Sequence, residues 1–151
     1  MEEGNSKMEI KILQTEEVPK AVQLARGVFE YCLRNTINEA QLIESFYTYV
    51  REENIRQLME TQKLTIWAAY DEQNNMVAVS GMQSEGHITL LYVMPYYQRR
   101  GYGKKLLLTM REYAREKLEL AQVTVNAMPA WTASYFAKNK FKAVQNPQSV
   151  P

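Results

Sequence analysis

Cysteine is almost missing from this 151-residue chain: Cys32 is the single one, so no disulfide framework can form within it, and a reducing, cytoplasmic setting is expected. Histidine is as scarce, with His87 alone, and no cluster of metal-ligating residues stands at ligand spacing, so no metal is expected. No apolar run reaches the roughly 18 residues that a membrane-spanning helix needs. The start, Met1-Glu2-Glu3-Gly4-Asn5-Ser6-Lys7, is acidic and polar, unlike a secretory signal. Charge of one sign is lacking too. Eighteen Lys and Arg against 17 Asp and Glu leave a net charge of +1, which argues against general affinity for nucleic acid or an anionic membrane. What remains is 46% hydrophobic residues in a chain of single-domain length, able to bury about 68–70% of its unfolded surface.

No repeat or low-complexity tract interrupts the pattern. Residues 1–6 read as a flexible leader, 7–144 as one domain and 145–151 as a polar tail. Ile10 and Ile12 predict a strand over 7–14. Thr15, early acids and Pro19 then open a helix carried by Val22, Ala25, Phe29 and Leu33. Apolar residues at helical intervals predict a second helical region over 39–61, with a break near 52–54. The period then changes to two: strands are predicted over 64–70, 76–82 and 87–93, the first two joined by the polar turn Asp71-Glu72-Gln73-Asn74-Asn75. A helix over 101–118, a strand over 121–126, a short helix over 131–138 and a strand over 141–144 complete the order β-α-α-β-β-β-α-β-α-β. Such an order implies an α/β (α+β) fold with a mixed, mostly antiparallel sheet flanked by helices.

One segment carries chemistry. After Leu91-Tyr92-Val93 ends a strand, Gln98-Arg99-Arg100-Gly101-Tyr102-Gly103-Lys104 leads into the long helix. Free amides at a helix start, helped by the macrodipole, make an anion site. Glycine lets backbone approach a phosphate closely, and Arg99, Arg100, Lys104 and Lys105 add positive charge. Known phosphate motifs fail here. A P-loop requires Ser or Thr where Lys105 stands, and the dinucleotide fingerprint requires a third glycine where Leu106 stands.

The spacing Gln-x-x-Gly-x-Gly resembles the acyl-CoA pyrophosphate loop of the GNAT N-acetyltransferase superfamily. Val123-Thr124-Val125-Asn126 and Tyr135-Phe136-Ala137-Lys138-Asn139-Lys140-Phe141 follow in the family's order, so the resemblance covers about residues 7–144. It implies the GNAT fold and acetyl-CoA as cofactor. The pantetheine arm would lie between two splaying strands against Leu91, Tyr92 and Val93, with the pyrophosphate on the amides from Gln98 to Lys104. Arg99, Arg100 and Tyr102 would contribute through main chain more than side chain.

The implied reaction is direct transfer of acetyl to a primary amine of a small molecule or peptide. His87, at the start of the strand, is the candidate base, with Glu85 in reserve; the plain alternative is a histidine packed at a strand end. For the acid, counting from Asn126 selects Tyr135, whereas counting back from Phe141 selects Phe136, and both are candidate cofactor contacts. Asn126 is a candidate hydrogen-bond partner. Lys140 stands where the family has glycine, which keeps a non-catalytic acyl-CoA sensor open as the alternative, alongside an interaction domain without a cofactor. Cys32 and the aromatics Phe29, Tyr31, Phe46, Tyr47 and Tyr49 read mostly as core, some of the aromatics as acceptor lining. Arg111, Glu112, Arg115 and Glu116 read as a solvated helix face. The family has a further strand after 144; without it, a second copy of the chain or the tail is expected to cover the sheet edge.

Overall fold

Strands form where apolar residues run continuously or alternate. β1 (Glu9–Ile12), β2 (Leu64–Tyr70), β3 (Met76–Gln83), β4 (His87–Val93) and the two-residue β5 (Thr124–Val125) build one sheet in chain order. The structure, a computed structural model, describes residues 8–126 and 132–142. The first four strands pair antiparallel and β4 pairs with β5 in parallel, as a helical crossover between the last two requires. The β2–β3 turn is held by Asp71, whose Oδ1 accepts the amides of Gln73 at 3.0 Å and Asn75 at 2.8 Å.

Helix α1 (Val18–Val28) has Pro19 in its first turn and buries Val18, Ala21, Val22, Ala25 and Val28. It continues into a wider π-helical turn at Phe29–Leu33. The helical region expected over 39–61 is two helices, α2 (Ala40–Tyr49) and α3 (Glu52–Glu60). The break falls at Val50 and Arg51 rather than 52–54, because Arg51 is extended (φ −66°, ψ 140°) and Asn54 Nδ2 donates to the Tyr49 carbonyl at 2.8 Å, capping the end of α2. α4 (Tyr102–Glu116) and α5 (Ala133–Lys138) follow.

The sheet separates two cores. On one face Val18, Val22 and Ala25 of α1 and Ile55 of α3 pack on Ile66 and Val79. On the other, Leu106, Leu107 and Met110 of α4 pack on Trp67, Met82 and Ile88.

The strand expected over 121–126 shrinks to two residues. The chain first passes Gly86, left-handed at φ 95° and with a Cβ position crowded by the Leu120 side chain and the Gln122 carbonyl, and pairing starts only where Thr124 N donates to the Gly86 carbonyl at 3.0 Å. Residues 141 and 142 are not in a strand; the rest of the expected last strand, Trp131, the leader and the tail lie outside the described residues. No helix among the described residues is long and apolar enough to cross a membrane.

Candidate active site

β4 is irregular at its centre. Gly81 faces Leu90 while Met82 faces Ile88, so Thr89 is an extra residue, a β-bulge. The bulge reverses the alternation of side chains. Ile88 packs into the α4 core, Leu90 and Tyr92 into the α1–α3 core, and Leu91 and Val93 back against α4. Unbroken alternation would put His87 on one face with Thr89, Leu91 and Val93; with the bulge, His87 keeps Thr89, whose Oγ1 is 2.9 Å from the Tyr49 hydroxyl, and shares the α1–α3 face with Leu90 and Tyr92 rather than Leu91 and Val93. The Tyr92 ring therefore leaves the α4 side and meets Phe46 of α2 edge-on at 5.8 Å.

The same bulge aims the backbone. Met94 N donates to the Val77 carbonyl at 2.9 Å, which makes Val93 and Ala78 a non-hydrogen-bonded pair and turns the N–H and C=O of Val93 away from β3. The Val93 carbonyl accepts Gln98 Nε2 at 2.9 Å. β5 pairs with β4 only at His87–Thr124 and Ile88–Val125. Beyond Thr89, among the described residues, this edge of β4 is open, and it exposes the amides of Leu91 and Val93.

Past β4, Pro95–Tyr97 makes one 3-10 turn and the loop then tightens. Arg99 (φ 64°) and Gly101 (φ 92°) are left-handed with Arg100 between them on the ordinary side. That alternation makes successive amides converge into an anion-binding nest. Gly101 is the N-cap of α4, so the amides of Tyr102, Gly103 and Lys104 have no partner inside the helix. A Cβ on Gly101 would meet nothing, so the approach to this corner is open there. Arg99, Arg100 and Lys104 are exposed, whereas the Tyr102 ring is buried in the α4 core and anchors the helix start. Arg100 lies over Tyr96 at 4.4 Å and Tyr97 at 5.8 Å. These residues fit a diphosphate.

Of the two aromatics on α5, Phe136 turns into the α4 core beside Phe141. Tyr135 points the other way, its hydroxyl against the Cα of Gly103 and near the Val93 side chain. Burial pushes the Tyr135 phenol above its ordinary value of 10.0, so it keeps its proton. Val93, Gln98, Gly103 and Tyr135 thus meet at one corner. His87 is at the other end of β4, six residues and about 20 Å from Val93, with Nδ1 2.7 Å from Thr124 Oγ1. Asn126 follows β5 and Glu85 sits in the β3–β4 turn; both are exposed and neither side chain bonds to the corner.

Sequence reasoning missed several contacts. Cys32 is half-buried in the π-helical turn, not core, with Sγ 3.7 Å from Gln98 Nε2; a turn that inserts a residue into a helix shifts every later side chain, and no spacing rule showed it. Tyr31 is 79% exposed for the same reason. Tyr97 donates to Asp71 Oδ2 at 2.8 Å, pinning the loop to the β2–β3 turn. Arg111, read as solvated, hydrogen-bonds the Asn139 carbonyl and covers the Phe141 ring at 4.4 Å, holding the end of α5. Among the described residues no group of three or more His, Cys, Asp or Glu side chains is placed to hold a metal ion.

The chain belongs to the acetyltransferase (GNAT) domain family, which matches residues 33–150. It is a GNAT-type acetyltransferase, an enzyme class whose donor is acetyl-CoA. Its fold is similar to that of PaiA N-acetyltransferase from Thermoplasma acidophilum, solved in complex with coenzyme A, at 18% identity over 91% of each chain with a TM-score of 0.76. A predicted acetyltransferase from Clostridium acetobutylicum, solved with acetyl-CoA, is 15% identical over 91% of this chain and 92% of that one, TM-score 0.70. An aminoglycoside acetyltransferase from an uncultured soil metagenomic sample, in complex with trehalose, is 22% identical over 93% of this chain and 92% of that one, TM-score 0.68. At these identities the likeness is one of fold. No curated protein matches the chain by sequence.

Proposed function

We propose that this protein transfers acetyl directly from acetyl-CoA to a primary amine of a small molecule or peptide, within one ternary complex. The observation that carries the reading is the meeting of the open edge of β4, the free amides of α4 and the Tyr135 hydroxyl at one corner. The bound cofactor supplies a thioester whose carbonyl carbon is open to attack by an amine.

The chain's own groups divide the remaining work. The amides from Gln98 to Lys104 hold the diphosphate, with Arg99, Arg100 and Lys104 adding positive charge around it. Leu91 through its backbone groups and Val93 through its amide orient the pantetheine arm, and an amide of this edge holds the thioester oxygen as it gains charge. Phe136 backs this wall from the core side, and Asn126 bonds the arm or the acceptor. The acceptor arrives as an ammonium of pKa about 10, so it must lose a proton before it attacks. His87, further along β4, accepts that proton through a chain of waters. Tyr135, whose phenol lies above its ordinary value and so carries its proton at neutral pH, donates to the departing thiolate.

We place this activity in one domain over residues 7–144 and in the cytoplasm, the latter because a lone cysteine suits a reducing compartment. The test is calorimetry with acetyl-CoA followed by thiol release over a panel of spermidine, kanamycin, tryptamine, a lysine peptide and a peptide with a free N-terminus. Binding with turnover of one of these amines is expected. Binding without turnover on any primary amine identifies a sensor instead, and no binding contradicts the reading.

A further inference from the structure

We infer that Thr124 is the positioning residue for His87: its Oγ1 accepts a hydrogen bond from Nδ1–H and so presents Nε2, with its lone pair free, to the acceptor side of the sheet. The inference rests on the reading of His87 as the base and goes beyond it in naming the atom that takes the proton and the residue that selects it.

The geometry is set by the parallel pairing of β4 and β5. His87 and Thr124 are register partners, so their side chains rise side by side from the same face, and Nδ1 and Oγ1 are 2.7 Å apart. That face is the one α1–α3 cover, since Ile88 and Val125, the next pair along, both belong to the α4 core. With Nδ1 taken, Nε2 is the nitrogen left for chemistry, and it has no hydrogen-bond partner among the described residues. Glu85, the nearest acid along the chain, is exposed and makes no bond to the ring.

A hydroxyl suits this position for a specific reason. A base that works through Nε2 must carry its resting proton on Nδ1, both as neutral imidazole and as the imidazolium formed when it accepts a second proton. Thr124 Oγ1 can accept from Nδ1–H in both states, and its own hydrogen is free to bond water because Thr124 is exposed. Nothing needs to reorganise during the transfer. An isolated imidazole favours the opposite tautomer, with the proton on Nε2, in which Thr124 Oγ1 would have to donate to Nδ1 instead, so the tautomer itself reads the direction of this bond.

Because His87 is the only histidine, its two ring nitrogens give one unambiguous set of ¹⁵N signals. The experiment is long-range ¹H–¹⁵N NMR of the full chain at about pH 8.5, where an ordinary imidazole is neutral, on wild type, Thr124→Val and Thr124→Ser. Each is also assayed by thiol release from acetyl-CoA with whichever amine of the panel above reacts fastest. The expected result is the Nδ1–H tautomer in wild type and Thr124→Ser. Thr124→Val, which keeps the shape and strand preference, should show the Nε2–H tautomer and a kcat lower by about tenfold or more, with the KM for acetyl-CoA unchanged. An Nε2–H tautomer in wild type, or a Thr124→Val variant with wild-type tautomer and kcat, overturns the inference. His87→Gln separates the two layers: if it turns over at the wild-type rate, the assignment of the base fails and Thr124's catalytic role goes with it, whatever the tautomer.

Discussion

The hydroxyl of Tyr135 lies where the side chain of any residue but glycine at position 103 would begin. Sequence position 103 is therefore bound to α5 as well as to the loop, and the two cannot be changed independently. Gly103→Ala should push Tyr135 aside and narrow the approach to the α4 amides. Calorimetry should then show acetyl-CoA binding weakened by about tenfold or more, equivalent to about 1.4 kcal/mol. Gly103→Asp, which adds a negative charge, should abolish binding.

Tyr135→Phe removes the proposed proton donor and leaves the packing. Since burial holds the phenol above 10.0, the wild-type enzyme keeps this donor loaded through neutral and mildly alkaline pH. The variant should lose kcat by about 10² with little change in acetyl-CoA affinity, as steady-state kinetics would show.

The loop is pinned at a distance by the bond from Tyr97 to Asp71. Several hydrogen bonds, led by that from the Asn75 amide, hold the Asp71 carboxyl below its ordinary range, so it is ionised and a full-strength acceptor. Tyr97→Phe keeps the ring stack under Arg100 but frees the loop. Acetyl-CoA affinity should fall by about threefold to tenfold, or about 0.7–1.4 kcal/mol, while far-UV circular dichroism stays unchanged.

Much of this arrangement was legible in the sequence. The Gln98–Gly103 spacing, the strand before it and the helix after it located the corner, because hydrophobic period and glycine placement are local properties. Tyr135 over Phe136 was half legible: both lie on α5, and only the packing of Phe136 on Phe141 decides which ring faces Gly103. The bulge at Thr89 was not legible. It depends on how β3 and β4 pair, and no residue within β4 announces an extra position. Thr124 was hidden for the same reason, being 37 residues from the histidine it bonds. The split between α2 and α3 was misplaced because the Asn54 side chain that caps α2 comes from the following helix.

Ser80 in β3 is fully buried and its hydroxyl has no hydrogen-bond partner among the described residues. An unmatched buried hydroxyl costs stability, so Ser80→Ala should raise the unfolding free energy by about 1 kcal/mol, read from urea midpoints at constant slope.

Alkaline pH should weaken the fold through Tyr70. Burial first, then the charge of Glu17 and the bond to its carboxylate at 3.2 Å, push this phenol from 10.0 up to about 12. A folded-state value above the unfolded one gives a contribution intact below pH 10 and lost as pH rises through about 12. Thermal midpoints measured across that window should fall, and fall less in Tyr70→Phe.

The most direct test of the account is a crystal structure with coenzyme A bound. The diphosphate should lie within hydrogen-bond distance of the amides of Gly101 to Lys104. Coenzyme A seated elsewhere, with those amides facing solvent, would contradict it.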